Sequence, residues 1–208
     1  GAVGTTLLRE RMIKQEDIDI SSVHADCGLI LFDVAKQKDV GAGGSGRGCS
    51  GAVLCSEILP KIESGELKKV LFIGDSITQG WNSGIDTLSY AYRTSFALNF
   101  DSVIQGVGGA YYHASTFADS GFEPDLVIVA YGTNDVNHFK TKGEMVDQLR
   151  SYLGKVKDTY ASSKIYAISP IWVSGGSEEK RMGNLWESYS LIADEIEKCG
   201  VNHIRGLD

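Results

Sequence analysis

Three polar turns, each placed directly after an apolar run, hold the residues of this 208-residue chain whose types and spacing suit nucleophilic chemistry. Ser76 lies in Gly74-Asp75-Ser76-Ile77-Thr78, behind Val70-Leu71-Phe72-Ile73. Gln105-Gly106-Val107-Gly108-Gly109 follows Ser102-Val103-Ile104, and Gly132-Thr133-Asn134-Asp135 follows Leu126-Val127-Ile128-Val129-Ala130-Tyr131. A serine hydroxyl is a weak nucleophile at neutral pH, so it needs a neighbouring base and a place for the developing oxyanion. Taken alone, Asp75 or Ser76 fits a helix cap equally well, and Asn134-Asp135 fits an Asx-turn. The three turns together favour catalysis. Ligand sites of open α/β sheets lie at the carboxyl ends of strands, where all three turns fall.

The elements that must position them alternate along the chain from Lys69. Strand-like runs cover Val70–Ile73, Ser102–Ile104, Leu126–Tyr131, Lys164–Ser169 and Val201–Ile204. Helix-like stretches cover Thr87–Leu98, Thr141–Tyr160 and Glu178–Cys199. In Thr141–Tyr160 the apolar residues Met145, Val146, Leu149, Leu153 and Val156 recur at helical spacing, so Met145 belongs to a core stripe. Alternating β and α elements imply a mostly parallel sheet of five strands with helices on both faces, a three-layer α/β/α architecture of flavodoxin-like layering. The N-terminal third differs in texture: Cys27–Asp33 is strand-like, Gly41–Gly51 is glycine-rich, and Ala52–Glu63 reads as a helix ending near Gly65. The loop Gly41–Gly48 is expected to be mobile.

Composition narrows the functional classes. A hydrophobic content of 42% with 23% charged residues belongs to globular chains rather than disordered ones. The net charge of −7 argues against nucleic acid or an anionic membrane surface, both of which call for clustered Lys and Arg. No apolar run approaches the ~20 residues of a membrane span. The start of the chain lacks the pattern of a signal peptide. Cys27, Cys49, Cys55 and Cys199 show no metal-ligand spacing and read as reduced thiols. The expectation is a soluble, cytoplasmic protein with no metal and no organic cofactor.

The three turns resemble the first three sequence blocks of the SGNH (GDSL-type) hydrolases. That resemblance, covering about residues 69–208, implies Ser76 as nucleophile and Gly109 and Asn134 as donors to the oxyanion, with a small-molecule ester as substrate. Gly106 takes the place of Gly109 if the second block is shifted, and Ile104 and Ala110 stand where that family usually has Asn and Asp. A second resemblance lies upstream. His24-Ala25-Asp26-Cys27-Gly28, the loop Gly43-Gly44-Ser45-Gly46-Arg47-Gly48-Cys49-Ser50 and the run Val53–Ile73 look like the C-terminal part of the thiolase-like stage V sporulation protein AD. The chain reads as a thiolase-like fragment, residues 1–68, followed by an SGNH-type domain, residues 69–208, the two meeting at the strand Lys68–Ile73. Such a fragment supplies only a strand-helix-strand portion of its fold, which invites association into a homo-oligomer through unpaired edges.

The base is the element the resemblance does not supply. SGNH enzymes carry their histidine in an Asp-x-x-His block after the fifth strand, and no such block follows Val201–Ile204 here, so the catalytic histidine is expected to be missing. His203 reads as structural, His24 belongs to the thiolase-like segment, and His113 follows Tyr111-Tyr112 in a cleft-side turn. Asp135-Val136-Asn137-His138 has the Asp-x-x-His form but directly follows the third block, which places His138 at the substrate cleft. Trp81, Tyr111, Tyr112 and Trp172 follow strand ends and either wall a pocket or belong to the core. Gly41-Ala42-Gly43-Gly44-Ser45-Gly46 has dinucleotide-loop spacing, but Val34–Val40 separate it from its strand, against a cofactor role. Cys49 at a helix start reads as packing. The sequence therefore points to a serine acylhydrolase of small acyl esters, acetylated carbohydrate among them. The alternative is a non-catalytic, sporulation-related binding protein or truncated hydrolase.

Overall fold

The computed structural model describes residues 61–62, 64–80, 89–170, 179–180 and 182–205. Gly41–Gly48, the strand expected at Cys27–Asp33, Cys49, His24, Trp81 and Trp172 lie outside the described residues.

Four apolar runs and one short C-terminal segment build the sheet: β1 (Lys69–Gly74), β2 (Asp101–Gly106), β3 (Leu126–Ala130), β4 (Lys164–Ile168) and the last strand of the chain, β7 (Asn202–Ile204). All are parallel, in the order β2-β1-β3-β4-β7. β1 and β3 are buried on both faces, which is why their sequences are continuous Val/Ile/Leu/Phe runs. Successive side chains alternate between two cores. Leu71, Ile73, Val127, Val129 and Ala167 face one side, and Val70, Phe72, Leu126, Ile128 and Tyr166 face the other.

Helices cover each face. α4 (Lys142–Thr159) packs Met145, Leu149, Tyr152, Leu153 and Val156 onto the first core, beside α5 (Leu185–Lys198) with Tyr189, Ile192 and Ile196. α2 (Tyr90–Ala97) closes the second core with Tyr90 and Ala91. Two single turns, α1 (Ser76–Gln79) and α3 (Asp135–His138), follow β1 and β3 directly. The expected three-layer α/β/α fold with a five-stranded parallel sheet is what forms. Leu67 is buried in the second core and the amides of Lys68 and Lys69 donate to Asp125 Oδ2 at 2.9 and 2.8 Å, so the approach to β1 is fastened to the domain.

One element departs from expectation. The helix read from Glu178 starts only at Leu185; residues Glu179–Lys180 (β5) and Gly183–Asn184 (β6) form a small antiparallel pair instead. Asn184 is the helix cap, accepting from the Glu187 amide at 2.9 Å, and that bond sets the boundary.

Leu153→Ala, at a fully buried position, is expected to cost about 2–5 kcal/mol in urea unfolding with the m-value unchanged.

Candidate active site

Strand order alone brings the three turns together. The chain passes from β1 outward to β2, then returns to the other side of β1 with β3, so the carboxyl ends of β2, β1 and β3 open on the point where the sheet's winding reverses. Ser76 follows β1, Gly109 follows β2 and Asn134 follows β3.

Asp75 is the N-cap of α1, its Oδ1 accepting from the Ile77 amide at 2.9 Å, and half-buried Ser76 is the first residue of that turn. The capping and nucleophile readings thus fall on adjacent residues and do not compete. Asn134 begins α3, yet its side chain makes no cap bond there. Nδ2 instead crosses to the β2 turn, donating to the Ala110 carbonyl at 2.9 Å, and reaches Asp75 Oδ2 at 3.4 Å. Both neighbours are acceptor oxygens, so the nitrogen of the amide is the atom that must face them. An Asx-turn is therefore not what Asn134 does.

Two glycines in the β2 turn have different reasons. At Gly106 an added Cβ would lie 2.5 Å from the Gln79 amide nitrogen and 2.7 Å from its Cα, so only glycine lets β2 end against α1. Gly109 has open space around it, and what it requires is its left-handed backbone, φ +76°. Close packing of backbone on backbone thus belongs to Gly106, whereas Gly109 is set by its backbone conformation. The rest of this loop is tied to α4, where Gln148 Oε1 accepts from the Ala114 amide at 2.9 Å and Lys155 Nζ donates to the Ala114 carbonyl at 2.8 Å.

Beneath the turns lie two carboxyls, Asp75 and Asp135, whose burial the sequence did not reveal. Asp75 is pushed up to about 6 by burial, against the opposing donation of the Ile77 amide and the Thr133 side chain. Asp135 is pushed up to about 7, first by burial and further by the charge of Asp75, while the Tyr112 amide, donating to Oδ1 at 3.2 Å, works the other way. Its Oδ2 has no hydrogen-bond partner among the described residues. Tyr112, expected either in a pocket wall or in the core, is wholly buried in the core. A cleft of about 30 Å³, room for little more than water, opens between Asp75, Ile77, Tyr90, Tyr131, Thr133 and Ser169.

The described histidines take other partners. His113 is bonded through Nδ1 to Ser115 Oγ at 2.7 Å, and His138 is stacked on Tyr111 with ring centres 3.9 Å apart. His203 bonds Glu197 at 3.2 Å on β7, three strand spacings or ~14 Å from β1. Among the described residues no group of three or more His, Cys, Asp or Glu side chains is placed to hold a metal ion. Nor is any helix among them long and apolar enough to cross a membrane.

The fold agrees with what known proteins show. The model of the GDSL-like Lipase/Acylhydrolase family matches residues 72–197, and the chain belongs to that family. Solved structures share the α/β fold. One is a protein from Lactobacillus plantarum, 20% identical, with TM-score 0.56 over 68% of this chain and 77% of that one. Another is a G-D-S-L family protein from Desulfitobacterium hafniense, 18% identical, with TM-score 0.54 over 66% and 77%. A third is an active-site mutant of a family two carbohydrate esterase from Clostridium thermocellum, 19% identical, with TM-score 0.51 over 68% and 54%. Upstream, the model of Stage V sporulation protein AD matches residues 1–79, meeting the hydrolase match at β1 and α1. The Stage V sporulation protein AD of Bacillus subtilis is 32% identical over 71 residues, which are 34% of this chain and 20% of that protein. The chain thus spans about a fifth of the length of that curated relative.

Two outcomes are expected. Burial favours the neutral form of Asp135, so between pH ~4 and ~7 this group binds more protons in the folded chain than in the unfolded one, and its contribution to stability falls as pH rises through that window. Asp135→Asn keeps an acceptor for Tyr112 and removes the buried charge, so denaturant titrations should show it more stable than the parent at pH 8, with that pH dependence flattened. Gly106→Ala should lower stability by about 1–3 kcal/mol, because backbone has to move aside.

Proposed function

We propose that this chain carries a serine ester hydrolase site in which Ser76 is the nucleophile. The amides of Ser76 and Gly109 and the side chain of Asn134 stabilise the oxyanion. Ser76 Oγ attacks the ester carbonyl carbon, the alcohol leaves with a proton, and water then hydrolyses the acyl-serine. The observation that carries this reading is the reach of Asn134 from the β3 turn to Ala110 and Asp75, which holds an amide donor between the other two turns. The longer of its two bonds, at 3.4 Å, is the one an oxyanion would take over. Acetylated carbohydrate is among the small acyl esters that such a site would take.

The Ser76 proton needs an acceptor. Neither His113 nor His138 is hydrogen-bonded to Ser76, and His203 is too far along the sheet. With no base placed beside Ser76 among the described residues, the site is expected to act slowly, at the ~10³–10⁴-fold over water that an oxyanion hole and binding supply by themselves. We assign residues 69–208 to the hydrolase-type domain and residues 1–68 to the thiolase-like fragment, through which copies of the chain associate. The match of residues 1–79 to the sporulation family supports a second reading, a sporulation-related protein that binds rather than hydrolyses.

Hydrolysis of p-nitrophenyl acetate by the whole chain, with peptide mapping of trapped acetyl groups, tests the first reading. Asn134→Ala is expected to lower kcat by ~10²–10³-fold, and the acetyl group should map to Ser76. Parent, Asn134→Ala and Ser76→Ala chains of equal rate, with no acetyl on Ser76, would overturn it in favour of the second.

A further inference from the structure

The stacked pair Tyr111–His138 has no part in the chemistry above, yet the site's own turns hold it. Tyr111 follows Ala110, the acceptor of the Asn134 amide, and His138 ends the single helical turn that Asn134 begins. The two rings lie face to face, with an interplanar angle of 6° and centres 3.9 Å apart. Behind them stands buried Phe139, edge-on to Tyr111 at 5.3 Å. His113 meets the edge of Tyr111 at 5.7 Å. His138 itself is exposed, so one face of a fixed, flat ring is offered to solvent within about one helical turn of Asn134.

Polar groups belong to the same two turns. His113 Nδ1 accepts from the Ser115 amide at 3.3 Å, which places the ring proton on Nε2 as a donor. Asn137, also exposed, adds an amide with two donors and an acceptor. A rigid ring costs little conformational entropy when a ligand covers it, and it can lie against the C–H face of a pyranose while the neighbouring amide and imidazole meet the hydroxyls. An aliphatic alcohol would leave those polar groups unmatched, and burying them unpaired is unfavourable.

We propose that Tyr111 and His138 form a platform for a pyranose ring of the substrate's alcohol part, with His113 and Asn137 as its hydrogen-bonding rim. The position of the sugar as an ester's alcohol rests on the hydrolase reading; the binding of the sugar does not.

The test is binding of unsubstituted xylohexaose to the full chain carrying Ser76→Ala, followed through the imidazole Cε1–H resonances. Saturable shifts of His138 and His113 are expected. His138→Ala should weaken binding about tenfold, while His138→Phe, which keeps a flat ring, should stay within ~3-fold of the parent. The proposal is overturned by the absence of saturable shifts at millimolar sugar, by equal binding in His138→Ala, or by equal loss in both variants. Because no turnover is read, failure here is distinct from failure to hydrolyse p-nitrophenyl acetate.

Discussion

Three loops from three strands have to meet at one point, and the side-chain amide of Asn134 is what spans them. Its nitrogen bonds the Ala110 carbonyl on the β2 turn and reaches the Asp75 carboxyl on the β1 turn, while its own backbone starts the turn after β3. Asp75 in turn caps the helix that presents Ser76, and Asp135, next along from Asn134, holds the Tyr112 amide. Two adjacent residues on β3's turn therefore fix the loop after β2 from both sides of Tyr111. The sheet supplies the rough placement; these few bonds supply the alignment that oxyanion stabilisation requires, where small displacements are costly.

That alignment has a thermodynamic cost built into it. Asp75 and Asp135 are buried almost completely, beside Tyr112 and Tyr131, and the charge of Asp75 adds to Asp135's cost of ionising. The fold tolerates two such groups because the surrounding core is large: both faces of β1 and β3 are covered by helices. Two buried carboxyls are thus placed at the carboxyl ends of β1 and β3, as expected where a site and a fold are optimised for different things.

Much of this was legible in the residues. The runs Val70–Ile73 and Leu126–Tyr131 could only be strands buried on both faces, and the helical spacing of Met145, Leu149, Leu153 and Val156 marked α4. The small and polar residues after each strand marked where a site would open. Burial of Asp135 was not legible, because nothing in Asp-Val-Asn-His tells which side of its turn faces the core. The stack of His138 on Tyr111 depends on β2 and β3 both flanking β1, a fact of topology rather than of local pattern. The late start of α5 did carry a signal: Asn184 with Glu187 three residues on is a helix-cap spacing, outweighed by the charged run before it.

The claim on which the rest depends is that Asn134 and Asp75 act as one unit, and a double-mutant cycle measures it most directly. Asp75→Ala, Asn134→Ala and the double variant would be unfolded in urea at pH 8, where Asp75 is ionised. The account predicts an interaction energy of about 1 kcal/mol or more between the two positions. Additivity within ~0.3 kcal/mol would contradict it.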